Sequence, residues 1–244
     1  GVMAPTREAR KDAEDQGHRE AKVLRLFEED ERVTTSRKHR EILRGDMAGR
    51  ICVAEEFQEM LHARFTMAGG HRAEEVVALG DGSKWIWNVF EAVAPKAIQI
   101  LDFFHLMTHI HDAVKAAFGE GNTRRRSTAK RLETALKESR IDHVEKTLRS
   151  WQGRTIEDKE TIRKTLAYID ENRNRMDYHR YIARGYDIGS GTIESTGKRL
   201  VGQRLKGPGM RWNRETANAL LALRSRWYTN RWAPLWSKPE ALAA

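Results

Sequence analysis

Val76-Val77-Ala78-Leu79-Gly80-Asp81-Gly82-Ser83-Lys84-Trp85-Ile86-Trp87 and, beyond Pro95, Ile98-Gln99-Ile100-Leu101-Asp102-Phe103-Phe104-His105 decide how this chain is read. Residues 76–79 and 98–101 are short apolar runs that an aspartate closes, and residues 83–93 between them have the length of a helix. The order strand, helix, strand implies a parallel pair, because a crossover returns the second strand in the direction of the first. Asp81 and Asp102 then share the edge at which open α/β sheets carry ligands. A plainer reading is open as well: Asp81-Gly82 as a hairpin turn and Asp102 as a helix N-cap.

Three blocks extend the pattern along the chain: Asp81 to Trp87, Leu101 to His105, and Gly189-Ser190-Gly191-Thr192-Ile193-Glu194-Ser195. In content and order they resemble the DDE transposases of bacterial insertion sequences, specifically the ISKra type, which is similar to the Mutator-like transposases. The resemblance implies an α/β fold, an RNase H-like mixed sheet flanked by helices, with an all-helical insertion before the last catalytic helix. It implies residues 1–117 as the core, 118–181 as the helical insertion and 182–244 as C-terminal helices completing the core. Three carboxylates of such a core hold two divalent ions. Asp81 matches the second and Glu194 the third, both as catalytic residues and as metal ligands, with Mg²⁺ or Mn²⁺ expected because hard ions prefer oxygen ligands. Asp102 and His105 take supporting roles, Asp102 holding His105 or capping its helix. The implied activity is metal-dependent DNA strand cleavage and strand transfer.

In similar transposases the first catalytic Asp is followed by a Gly-x-Met-x-Pro-like stretch, which Gly1, Met3 and Pro5 match. The expectation is therefore a chain truncated just after that Asp, its first strand lying at or before Gly1, with Asp12 or Asp15 as substitutes that could fold back. Asp12, Glu14 and Asp15 otherwise read as a solvated charged loop.

The 244 residues carry 44 Lys and Arg against 35 Asp and Glu, a net charge of +9, and a single cysteine. This composition suits one large domain and a polyanionic partner, and it rules out an internal disulfide. No apolar run approaches the roughly 18 residues that span a bilayer, so a cytoplasmic protein is expected, and the resemblance implies a bacterial, nucleoid-associated one. Cys52 with His105, His109 and His111 falls short of a structural zinc set.

Between the blocks, residues 21–27 read as a strand, the acidic run 28–31 as a turn, and residues 39–43 as a weaker strand. Ile51, Val53, Phe57, Met60, Leu61 and Phe65 recur at helical spacing, predicting an amphipathic helix over 49–67 that Gly69-Gly70 ends. Trp85, Val89 and Phe90 share a helical face suited to core packing, while Trp85 and Trp87 could alternatively stack on unpaired bases. Trp227, Trp232 and Trp236 are expected to pack the final helix, whose apolar face is Ala217, Leu220, Leu221 and Leu223.

DNA contacts are expected from Arg124, Arg125 and Arg126, joined by Lys130 and Arg131, and from Lys198, Arg199, Arg204, Lys206 and Arg211, joined by Arg214. The same charges would equally serve as solvated faces of a helical bundle. The expected partners are transposon-end and target DNA and further copies of the chain. Two other classes remain: a catalytically inactive DNA-binding transposase remnant, and a basic helical interaction protein. Metal-dependent nicking separates the enzyme from the remnant.

Overall fold

The computed structural model describes residues 1–7, 17–36, 39–42 and 45–232. Expectations for Asp12, Glu14, Asp15, Leu43 and Trp236 lie outside them. The chain forms two compact units, Gly1–Arg72 with Gly191–Ala244, and Ala73–Ser190. Small sheets flanked by helices give the mixed α/β architecture of an RNase H-like fold. No helix among the described residues is long and apolar enough to cross a membrane.

In the first unit, β1 (Val2–Pro5), β2 (His18–Leu26) and β5 (Asp46–Ile51) pair antiparallel in the order β1-β2-β5. β3 (Arg32–Ser36) and β4 (His39–Ile42) form a separate hairpin. β1 runs directly on from Gly1. Of the strand expected over 39–43, the described part is β4, His39–Ile42, and it pairs with β3 in the hairpin. One expectation shifts here. The residues expected to open the long helix are strand, because α1 starts only at Ala54 and runs to Met67. Val53 takes extended backbone at the junction, and Glu56 bonds back to its N–H at 3.2 Å.

β5 is buried along most of its length, so it shows no period of two, and its Ile51 completes a spurious helical period with α1. Gly49 permits the close packing: a β-carbon there would lie 3.3 Å from Val23 and 3.5 Å from Leu200. α8 (Gly191–Gly197), a π-helical turn (Lys198–Gly202), the single turn α9 (Gln203–Leu205) and α10 (Arg214–Tyr228) cover this sheet. Leu200, Val201, Leu205, Ala217 and Leu221 close the core against Ala4, Ala21, Met47 and Ile51. Asn218 of α10 acts as a surrogate strand, accepting from Ile51 N–H at 2.8 Å and donating to its carbonyl at 3.1 Å. Trp227 is 62% exposed and meets the edge of Trp232, just beyond the end of α10.

In the second unit, β6 (Val77–Gly80) and β7 (Ile98–Leu101) pair parallel, with Gly80 opposite Leu101, and α2 (Lys84–Val93) joins them. The hairpin reading of Asp81-Gly82 is excluded by that pairing. α3 (Phe103–Phe118), α4 (Arg124–Lys137), α5 (Ile141–Arg149), α6 (Ile156–Asn172) and α7 (Tyr178–Ala183) follow. Their buried residues Leu132, Leu136, Val144, Leu148, Ile162 and Ile169 share one core with Ile100, Leu101 and α3. On α2 it is Trp87, not Trp85, that enters the core; its Nε1 donates to Asn172 Oδ1 at 3.0 Å and Arg175 lies over its ring at 4.4 Å. Trp87 therefore has no face for a base.

Leu221 is fully buried whereas Leu223, on the same helix, is 43% exposed. Urea unfolding should show Leu221→Ala destabilised by about 2 to 5 kcal/mol, and Leu223→Ala by less than about 0.5 kcal/mol.

Candidate metal and nucleic-acid site

β6 and β7 end side by side, and the residue after the Gly80–Leu101 pair carries the first functional groups on each strand: Asp81 and Asp102. Their environments differ. Asp102 is buried; its Oδ1 accepts from Phe104 N–H at 2.9 Å, capping α3, and its Oδ2 accepts from the Ser190 hydroxyl. Phe103 N–H donates to the Ile188 carbonyl at 2.8 Å, and Gly189 passes so close to Phe104 that a β-carbon would lie 2.3 Å from its ring. The Leu101 to His105 block and the start of the Gly189 block are thus one structural unit. Both functions foreseen for Asp102 narrow to the cap: no bond joins it to His105, which is exposed at the start of α3.

Asp81 is half-buried. Its Oδ1 accepts from Ser83 N–H at 3.0 Å, and Oδ2 has no hydrogen-bond or ion-pair partner among the described residues. Its carbonyl accepts from the Tyr168 hydroxyl at 2.7 Å. Gly82 has φ +92°, and a β-carbon there would lie 2.5 Å from that hydroxyl, so the Asp-Gly pair answers both to backbone strain and to close approach. A carboxylate oriented through one oxygen and open at the other fits a hard divalent ion. No three His, Cys, Asp or Glu side chains among the described residues group as a ready cage.

Around Tyr168 lie His109, with ring centroids 4.2 Å apart, and His105 at 6.0 Å. Burial holds the Tyr168 phenol well above its ordinary range, and the Asp81 and Asp102 charges add to that, so its proton stays on the oxygen that bonds Asp81. Burial likewise lowers the pKa of His109, helped by His105 and opposed by Asp112.

Glu194 lies in the other unit, in the first turn of α8, exposed and with no side-chain partner among the described residues. α8 is held down by its buried end, where Gly197 lies so close to Val2 of β1 that a β-carbon would reach 2.7 Å. Lys198, Arg199, Arg204, Lys206 and Arg211 are all exposed. Arg214 is not free for DNA: it donates to the Ile51 carbonyl at 3.1 Å and to Glu56 at 2.6 Å. In the unit of Asp81, Arg124, Arg125 and Arg126 occupy the first turn of α4, Arg124 and Arg126 exposed and Arg125 partly so. Tyr168 and Ser190 are the site residues that sequence reasoning missed. Ser190 stood inside a quoted motif, whereas no local signal marks a tyrosine whose partner is 87 positions away.

The family model DDE_Tnp_ISL3, described as a transposase, matches residues 46–184, more than half of the chain. The chain belongs to this transposase family. Transposition acts on DNA, which makes DNA a partner of this transposase. No curated protein and no solved structure matches the chain.

His109 gives this transposase a pH signature. Folding depresses its pKa, so below the ordinary imidazole range near 6.5 the unfolded chain takes up a proton that the folded one resists. Stability should be full above that range and fall as pH drops through it. Denaturation midpoints between pH 7.5 and 5.5 should show this decline, and His109→Gln should make it shallower.

Proposed function

We propose that this transposase is an ISKra-type, Mutator-like DDE enzyme whose catalytic domain cleaves DNA strands and transfers them during insertion-sequence transposition. The observation that carries the proposal is the Asp81 carboxylate at the end of β6, oriented through Oδ1 and open at Oδ2. Glu194, exposed at the start of α8 with no side-chain partner among the described residues, is the other assigned ligand. Each would serve as a ligand for Mg²⁺ or Mn²⁺, which, when bound, supplies an activated attacking oxygen and charge stabilisation at the leaving oxygen.

The chain's own groups do the rest. Ser83 N–H and Tyr168 hold the Asp81 turn, and Asp102 fixes the start of α3 and hence His105 beside it. Exposed Lys198, Arg199, Arg204, Lys206 and Arg211, with Arg124, Arg125 and Arg126, bind phosphates and hold a strand in place without reading its bases. Assembly into a homo-oligomer on DNA belongs to the same proposal.

Asp81→Asn and Glu194→Gln should each abolish Mn²⁺-dependent nicking of terminal-repeat DNA while leaving DNA affinity within about twofold, since neither removes a phosphate contact. Nicking that survives Asp81→Asn would overturn the assignment. Affinity should also fall steeply with salt, and replacing Arg124, Arg125 and Arg126 by Ala should reduce the slope of log affinity against log salt by about 2 to 3.

A further inference from the structure

α6 presents Thr165, Tyr168 and Asn172 along one stripe, at the three- and four-residue spacings that share a helix face. Each makes a hydrogen bond to a different element. The Thr165 hydroxyl is shared between the His109 carbonyl of α3 at 3.3 Å and the Thr161 carbonyl of its own helix at 3.0 Å, the Tyr168 hydroxyl donates to the Asp81 carbonyl at 2.7 Å, and Asn172 accepts from Trp87 of α2 at 3.0 Å. Thr165 and Asn172 are each 1% exposed, and Ile169 beside them is fully buried. The outer two bonds fasten the helix; the middle one reaches the loop that carries Asp81.

That loop has little else to fix it. Asp81 and Gly82 lie between the end of β6 and the first residues of α2, where Gly82 occupies the left-handed region. Ser83 N–H orients the carboxylate only relative to the turn itself. The bond from Tyr168 is what fixes the turn relative to the helices.

We infer that Tyr168 is a positioning residue for the metal-binding carboxylate: its hydroxyl fixes the Asp81 backbone and so sets the direction in which Asp81 presents its open oxygen. The inference rests on the reading of Asp81 as a metal ligand. It gives the helical segment a part in the chemistry that DNA contacts alone would not require. The packed ring of His109 keeps the phenol from swinging away, and the close fit over Gly82 makes tyrosine and glycine a matched pair.

The test is Mn²⁺ binding to the full chain, followed by the electron paramagnetic resonance signal of the free ion, with thermal unfolding measured alongside. Tyr168→Phe should weaken Mn²⁺ binding about fivefold, the equivalent of one net hydrogen bond. Thr165→Val removes a bond of the same stripe that does not reach Asp81; it should lower the unfolding temperature and leave Mn²⁺ affinity unchanged. Gly82→Ala strains the turn itself at φ +92° as well as crowding the phenol, so it should weaken binding at least as much as Tyr168→Phe without separating the two causes. Unchanged affinity in a folded Tyr168→Phe, or equal weakening by Thr165→Val, would overturn the inference. Asp81→Asn distinguishes the two levels. If it abolishes binding while Tyr168→Phe matches the parent, the metal reading stands and the positioning role fails; if it leaves binding intact, both fall.

Discussion

A carboxylate taken out of water must find its hydrogen bonds inside the protein, and Asp102, 3% exposed, finds one for each oxygen. One bond starts α3; the other brings in Ser190 from a segment 88 positions away. Because the Phe103 amide pairs with Ile188 as well, the end of β7, the first turn of α3 and residues 188–190 are set by a single buried group. Its neighbour across the parallel pair, Asp81, sits half-buried with one oxygen spare. Two aspartates at equivalent strand ends thus differ, the buried one holding the backbone and the other keeping one oxygen without a partner among the described residues. Swapping their environments would cost the fold its cap.

The helices from Arg124 to Ala183 are tied into the same unit by more than apolar burial. β7 carries carbonyls that its pairing with β6 leaves unbonded, and an open strand edge is both unsatisfied and prone to pair with other chains. Tyr178, fully buried, donates to the Leu101 carbonyl at 3.0 Å, and Tyr181 reaches the Gln99 carbonyl at 3.5 Å. Arg175 adds a bond to the Gln99 side chain at 2.7 Å. The helical segment therefore finishes the sheet that carries Asp81 as well as bracing its loop through Tyr168.

Legibility in the sequence followed how local the determining physics is. The parallel pair, its crossover helix and the cap at Asp102 rest on residues within a short window, and the structure has them nearly to the residue. β5 was hidden because a strand buried along most of its length shows no alternation, and Ile51 fell by chance into register with α1. The hairpin strand at 39–42 was visible, but nothing in four mostly polar residues says which strand they join. Trp87 and Trp85 exchanged places because the Asn172 and Arg175 partners that draw Trp87 inward come from a distant helix. Tyr168 was invisible for the same reason.

The start of α4 is a place where local rules and the proposed function pull apart. The positive end of a helix favours acidic side chains, yet the first turn of α4 has none and holds Arg124, Arg125 and Arg126. Asn122 supplies only a neutral partner, accepting from Arg124 N–H at 2.9 Å. In the same unit α6 follows the rule, opening on a Thr155 and Asp158 capping box with Glu157 beside it, whereas α2 opens on Lys84 with no acidic residue in its first turn. Local departures from such rules in natural proteins concentrate at functional sites. Three guanidiniums added to a helix terminus of the same sign concentrate positive potential in one spot, which is unfavourable for the isolated fold and favourable once a phosphate backbone lies across it. The proposed contact with DNA would supply the counter-charge that this helix start lacks in its own sequence.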